Sequence, residues 1–398
     1  MLQRHFSGRL IPQIRWFSQS RILEEKKQFV RPPGKPMLNL ATIGSSQHGK
    51  TSLSSLLTRA SHDLFPEIEA KAIEDIDNTL PERENSHSVN ATHLELQTHN
   101  HLINLSDLPG HRNYIKNFLA HLADIDVALM VVNTNEGVLP GLRHQYDFIK
   151  HCRVQKVLPI LNFSDEADLI EAKDLMTLDL EEFMDETELS DLISMNLSKP
   201  NEDAQLLLKK LDSLKAPIRS EDKPLFWPLQ NVGSIPNRGT FIAGHIRDGT
   251  VSVGNTIDVF YEGQTTKSVV RDCEIFRRKA SKLQSGDRGG AFVKLKIENL
   301  NVRRGAVAFE SAKSDYRLTQ DIIVELMDEV PPLGKNSETL VHYLTNVYPK
   351  VTVSDLTETK AKLRFSQPIL TQPNEPMFLR QGSNIQRALV KSVTIYRK

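Results

Sequence analysis

Eight consecutive residues, Gly44-Ser45-Ser46-Gln47-His48-Gly49-Lys50-Thr51, have the types and spacing of a phosphate cradle, GxxxxGK[ST]. Two glycines let the backbone curl so that successive N–H groups face an anion. A lysine can reach the β/γ oxygens of a nucleotide, and a threonine hydroxyl can ligate Mg²⁺. The apolar run before the loop and the helical pattern after it supply the strand and the positive helix end that such a cradle uses. A pattern this short also arises by chance, so its context has to carry the reading.

Three further groups bear on that context. Asp107-Leu108-Pro109-Gly110 follows the apolar segment HLINLS, where an aspartate at a strand end can hold a Mg²⁺-bound water and a glycine N–H can sense a γ-phosphate. His111 comes next. It either orients an attacking water or caps the helix that begins there, and the two roles are compatible. Asn162-Phe163-Ser164-Asp165 has the asparagine and aspartate of a guanine-reading NKxD element, with phenylalanine at the lysine position. That ring can stack on a purine or be buried. Ser88 is the well-placed hydroxyl for a mobile loop closing on Mg²⁺, against the plain alternative of a surface serine. Ser194-Met195-Asn196-Leu197 lies where a second base-contacting loop would come, but has methionine where a small hydroxyl is wanted.

These groups need a scaffold. At 398 residues the chain is too long for one core and predicts two or three domains. Apolar runs at Val127–Thr134 and Val154–Asp165 alternate with helical periods at His111–Ile125 and Leu142–Cys152, which implies parallel strands with right-handed crossovers. Acid-rich helices follow at Glu166–Leu192, and their charges read as a solvated face. Beyond Pro217 the pattern becomes short alternating strands with glycine turns, first to about Phe309 and again from Asp321 onward. The expected fold is thus an α/β nucleotide-binding domain with a mostly parallel sheet at 39–218, then all-β barrel domains at 219–312 and 313–398.

Composition narrows the class. Lys+Arg and Asp+Glu are both 50, so the whole-chain balance does not announce a nucleic-acid binder, although a local basic face fits within a neutral total. The two cysteines, Cys152 and Cys273, form no metal-ligand or redox motif. No apolar run approaches the ~18–20 residues of a spanning helix, so no membrane insertion is expected. Residues 1–38 differ in kind: Arg4, Arg9, Arg15 and Arg21 precede the first acid, Glu24, among scattered Leu, Ile, Phe, Trp and Ser. That is the look of a mitochondrial targeting segment, with a disordered basic tail as the alternative. The PPGKP run then reads as a linker.

Taken together, these segments resemble the translation elongation factor Tu family of translational GTPases. TIGSSQHGKTSL looks like its P-loop, and Asp107-Leu108-Pro109-Gly110-His111 like its switch II opening. Lys223–Val259, with IPNRGT and GHIRDGTVSVG, looks like the start of its second domain. The resemblance implies GTP/GDP and Mg²⁺ as ligands. It assigns Gly44, Gln47, His48, Gly49, Lys50, Thr51, Asp107, Gly110, Asn162 and Asp165 to the nucleotide, Thr51, Ser88 and Asp107 to the metal, and His111 to catalysis. The implied partners are aminoacyl-tRNA, a ribosome and a guanine-nucleotide exchange factor; with the leader, the ribosome would be mitochondrial and the location the matrix.

The chain also departs from the family pattern. The family's switch I arginine and glycine fall at Asn85 and Ser86, its lysine at Phe163, and its later serine–alanine at Met195-Asn196. Three readings follow: an active divergent elongation factor, a degenerate paralogue acting as a binding or structural component of mitochondrial translation with weak or absent GTPase activity, and a related GTPase with another cargo, such as a specialised tRNA or a ribosomal maturation client.

Overall fold

The computed structural model describes residues 28–77, 91–111, 114–152, 154–163, 166–197, 202–235, 238–294, 305–311, 314–328, 339–382 and 384–394. The first domain is built on a six-stranded sheet in the order β2-β3-β1-β4-β5-β6. Its strands are β1 (Met37–Ile43), β2 (Thr92–Gln97), β3 (Leu102–Asp107), β4 (Val127–Asn133), β5 (Lys156–Asn162) and β6 (Ile193–Met195). All pair in parallel except β2, which is antiparallel to β3. Strand β1 is buried along its whole length, as a central parallel strand covered on both faces must be.

Helices α1 (Lys50–Leu64), α2 (Ile73–Ile76), α3 (Ile115–Leu119), α4 (Pro140–His151), α5 (Glu166–Glu181), α6 (Glu186–Leu189) and α7 (Glu202–Asp212) accompany the sheet. Leu53 and Leu57 of α1 pack with Leu207 and Leu211 of α7 on one side of it. Leu142 and Ile149 of α4 pack with Phe118 on the other. The carboxyl ends of β1, β3 and β5 therefore open on one rim, where ligands bind in folds of this type.

The helical period of His111–Ile125 does not become one helix. Helix α3 ends at Leu119, and a single 3₁₀ turn follows at Leu122–Asp124. The break turns Asp124 and His121 toward the next domain, where the Gln230 amide donates to Asp124 at 2.6 Å and lies 3.3 Å from the His121 ring. Helix α5 covers the core with Met176 and Leu180 while Leu175 and Leu178 face outward, so its solvent face is apolar as well as acidic.

The second domain contains β7 (Phe226–Ile235), β8 (Gly239–His245), β9 (Thr250–Ser252), β10 (Thr256–Tyr261), β11 (Gln264–Ile275), β12 (Arg278–Ala280), β13 (Lys282–Gln284), β14 (Arg288–Val293) and β15 (Val307–Phe309). Six of them run β10-β15-β7-β8-β14-β11, and the β10–β11 pairing closes the ring. The third domain, β16 (Arg317–Leu326), β17 (Thr339–Tyr343), β18 (Asn346–Ser354), β19 (Lys360–Thr371), β20 (Pro376–Gln381) and β21 (Asn384–Val393), is a closed barrel. Closure leaves no free sheet edge, which suits chains rich in short strands.

Residues 28–31, just ahead of the PPGKP run, pack into the first barrel. Gln28 bridges Lys279 of β12, and the Phe29 N–H donates to the Lys279 carbonyl at 2.7 Å. The Phe29 ring is only 8% exposed and belongs to the same core as Trp227. Arg278 lies 5.1 Å and Arg31 5.9 Å from its centroid, and Arg31 pairs with the buried Asp287. Arg278 in turn pairs with Glu95 of β2, so this corner of the barrel is tied to the first domain. Truncating an aromatic ring in such a core costs about 3–5 kcal/mol. Phe29→Ala is therefore expected to lower the unfolding midpoint followed by Trp227 fluorescence, with Phe29→Leu intermediate; an unchanged midpoint would show that the strap adds nothing.

Candidate functional site

The loop after β1 takes its shape from residues that L side chains seldom allow. Gly44, Gln47 and Gly49 have φ of 139°, 64° and 98°. A Cβ at Gly44 would lie 2.4 Å from the Val131 carbonyl oxygen, and one at Gly49 2.7 Å from Asn162 Nδ2. Both positions must be glycine for space as well as conformation. Gly49 precedes α1, and no side chain caps that helix end. Its first N–H groups and the positive end of its dipole thus face the loop, an arrangement suited to an anion.

Lys50 is 5% exposed and its ammonium donates to the Ser45 carbonyl at 2.6 Å. Burial pulls its pKa from 10.5 down to about 8, against the upward pull of Asp107 and Asp77. Asp107 ends β3, in register beside Thr42 of β1. Three hydroxyls donate to its buried carboxylate: Thr51 at 2.8 Å to one oxygen, and Thr42 at 2.5 Å and Ser54 at 3.2 Å to the other. Burial raises the Asp107 pKa, while these hydroxyls and Lys50 hold it back.

Gly110 closes the group. A Cβ there would fall 2.3 Å from the Gly44 carbonyl oxygen and 2.5 Å from Lys50 Nζ, so the DxxG glycine rests directly on the loop. His111 follows, its ring 6.0 Å from that of Tyr114. The His48 side chain is fully buried, its Nδ1 3.3 Å from the Asn133 N–H donor and its Nε2 3.4 Å from Glu136. The same Nδ1 lies 3.3 Å from the Val131 carbonyl oxygen, so the ring is wedged between β4 and the loop.

The base-reading side is divided. The Asn162 amide donates to the His48 carbonyl at 3.1 Å, which ties the end of β5 to the phosphate loop. The Phe163 N–H donates to the Met195 carbonyl at 3.1 Å. Met195 is not in a loop: it ends β6 and is fully buried in the core. The Asn196 N–H is already bonded to Asp203 of α7 at 3.2 Å. Asp165 and Ser88 lie outside the described residues.

Thr42, Ser54, Glu136 and Gln145 were not anticipated. Ser54 had a signal, because three residues after Thr51 it shares that face of α1. Thr42 joins through strand register, which no local pattern shows. The residues present fit a nucleotide phosphate with Mg²⁺: a cradle that excludes Cβ atoms, an uncapped helix end, a buried lysine and a hydroxyl beside a carboxylate. No cluster of three or more His, Cys, Asp or Glu able to hold a metal occurs among the described residues. Mg²⁺ bound through one or two protein oxygens and the phosphates themselves needs no such cluster.

Lysine charge gives this site a pH signature. Above about pH 8 Lys50 loses its proton in the free protein and must regain it to pair with phosphate. Affinity for a nucleotide polyphosphate is expected to fall as pH rises through 8, by up to about tenfold per unit. Lys50→Gln should bind weakly at every pH; a wild-type titration flat from pH 7 to 9.5 would contradict the assignment.

Comparison with known proteins agrees with this construction. The profile of the elongation factor Tu GTP-binding domain matches residues 35–345, well over half of the chain. Among solved structures, a bacterial selenocysteine-specific elongation factor, EF-Sec, superposes with a TM-score of 0.73 at 20% identity, over 89% of this chain and 58% of its own. The chain thus spans little more than half the length of that relative. The elongation factor SelB of Methanococcus maripaludis in complex with the GTP analogue GppNHp gives 0.71 at 16% identity, covering 92% of this chain and 81% of that one. Its apo form gives 0.70 at 18%, with 91% and 81% covered. At these identities the structural likeness concerns the fold. The profile match and the site built on it carry the family: the chain belongs to the elongation factor Tu GTP-binding family of translational GTPases.

Proposed function

We propose that this protein is a GTP-dependent translation factor of the mitochondrial matrix, which in its GTP form carries an aminoacyl-tRNA to the mitochondrial ribosome. One observation carries the reading: Lys50, the Thr51–Asp107 pair and Gly110 converge on one loop, so the parts that bind phosphate and those that would sense its loss are in contact. Mg²⁺ would sit beside Thr51 and Asp107 and neutralise phosphate charge. His111, next after Gly110, would orient the attacking water. The arginine-rich leader supports the mitochondrial assignment. The tRNA cargo is supported by the family and by the fold shared with a factor named as selenocysteine-specific.

A second reading has its own observation. With phenylalanine at position 163, Met195 in the core and the Asn196 N–H engaged by Asp203, three of the groups that would read guanine are altered or occupied. Each lost contact is worth about 0.5–3 kcal/mol. Such a site keeps phosphate affinity but discriminates bases poorly, which suits a paralogue that binds nucleotide without an efficient cycle.

Titration with fluorescent GTP, GDP and ATP in Mg²⁺ separates the two. The first reading expects micromolar or tighter binding of GTP and GDP, with ATP clearly weaker. Equal ATP affinity favours the second reading, and absence of all binding would leave that paralogue a purely structural role. For the first reading, His111→Ala should abolish ribosome-stimulated hydrolysis while leaving nucleotide affinity within about twofold; unimpaired turnover would remove the role given to His111. Protection of charged over uncharged tRNA from deacylation tests the cargo.

A further inference from the structure

Helix α4 sends one buried polar side chain into the seam between the phosphate loop and the DxxG turn. Gln145 is 7% exposed, and its Oε1 accepts the Gly44 N–H at 2.9 Å. Its Nε2 lies 3.5 Å from the Gly44 carbonyl oxygen and 3.5 Å from the Gly110 carbonyl oxygen. One amide therefore spans the first glycine of the phosphate loop and the glycine of DxxG, at the point where Gly110 rests on Gly44 and Lys50.

The helix that carries it is held from elsewhere. Tyr146 donates to Glu188 of α6 at 2.7 Å. On the third domain, Phe378 packs edge-on to Phe148 at 5.2 Å, His151 Nε2 lies 3.0 Å from the Ala388 carbonyl oxygen, and Arg387 donates to the Asp147 carbonyl at 3.3 Å. Gln145 is thus a polar side chain midway along a helix gripped by the second barrel.

We propose that Gln145 is a positioning residue that latches Gly110 against the phosphate loop and so sets the site's preference for a nucleoside triphosphate over the diphosphate. The proposal rests on the nucleotide-switch reading above and adds to it the part that fixes one switch position. The reasoning is differential. Gly110 can meet a γ-phosphate only when it stands close to Gly44 and Lys50, and a bond to its carbonyl from a fixed helix favours that placement before any ligand arrives. A ligand shifts a two-state element only through contacts that differ between the states, so lowering the cost of the near position favours the ligand that uses it. The diphosphate has no γ-phosphate to meet Gly110 and is indifferent to the latch. A buried amide that merely filled space would influence both nucleotides alike.

Two variants and two readouts decide. Gln145→Met keeps most of the volume and removes the amide. Gln145→Glu keeps an acceptor for the Gly44 N–H but turns oxygen toward the Gly110 carbonyl. Exposed His144→Ala on the same helix is the control. In nucleotide-free protein, hydrogen exchange at residues 107–111 should rise in both Gln145 variants and not in the control. The ratio of affinities for a non-hydrolysable GTP analogue and GDP should fall about 5- to 50-fold, the analogue losing clearly more affinity than GDP. An unchanged ratio in folded variants, or equal loss of both affinities, overturns the latch. If wild-type protein binds neither nucleotide, the switch reading itself has failed, and unaltered exchange at 107–111 would then remove the latch independently.

Discussion

The carboxylate of Asp107 is the point through which the first domain is organised for chemistry. It is buried at the carboxyl end of β3, where an ionised group is costly unless hydrogen bonds hold it. Thr42, Thr51 and Ser54 supply those bonds from β1 and α1, the two elements that flank the loop. Strand register, helix placement and loop conformation are therefore mutually dependent. Shifting β1 by one residue against β3 would remove Thr42, and tilting α1 would remove the other two hydroxyls. Gly110 comes just beyond this anchored aspartate, so its approach to Lys50 follows from the same fixed register.

A second polar centre joins the domains. Asp124 receives Gln230 and Arg288 of the first barrel and lies 3.3 Å from His245. Burial alone would push this carboxyl up, but the His245 and Arg288 charges hold it below the usual range. Asp126, nearby, is held by Arg219 at 2.6 Å and by the Asn39 N–H at 2.7 Å. Removing one partner from such a buried pair leaves an uncompensated charge, which is far costlier than the pair is stabilising. The seam therefore specifies one relative placement of barrel and sheet more strongly than it adds stability. Between the two barrels, Arg247 makes a bidentate pair with Glu375, and Phe226 stacks on Tyr316 at 3.5 Å.

What the sequence disclosed divides along physical lines. The phosphate loop is legible because its conformation demands glycine at fixed positions, and the barrels because alternating strands and turns have local signatures. The α/β alternation gave β4, β5 and α4 within a few residues. Strand β6 was missed: three residues are too few for a period, and Met195 read as a poor loop residue because its burial is set by distant packing. The helix over 111–125 was read as continuous because its periodicity is sound; contacts with Gln230 and Arg288, more than a hundred positions away, break it. Gln145 left no trace at all. Its partners are backbone atoms 101 and 35 positions off, and backbone partners leave no mark in a sequence.

The segment at 28–31 has a consequence for how the molecule comes into being. Arg31 and Asp287 are 256 positions apart, and Phe29 has its partners at a similar remove. At synthesis rates of about 5–20 residues per second, the strap emerges on the order of 10–50 s before the strand it must join. For that interval an aromatic side chain and an unpaired edge wait beside a nascent sheet that has no place for them. The first barrel is thus not an independent folding unit that follows the first domain in turn. Its outer strap is the first part to be made, and the packing around Phe29 is completed only when the two ends of a long loop meet.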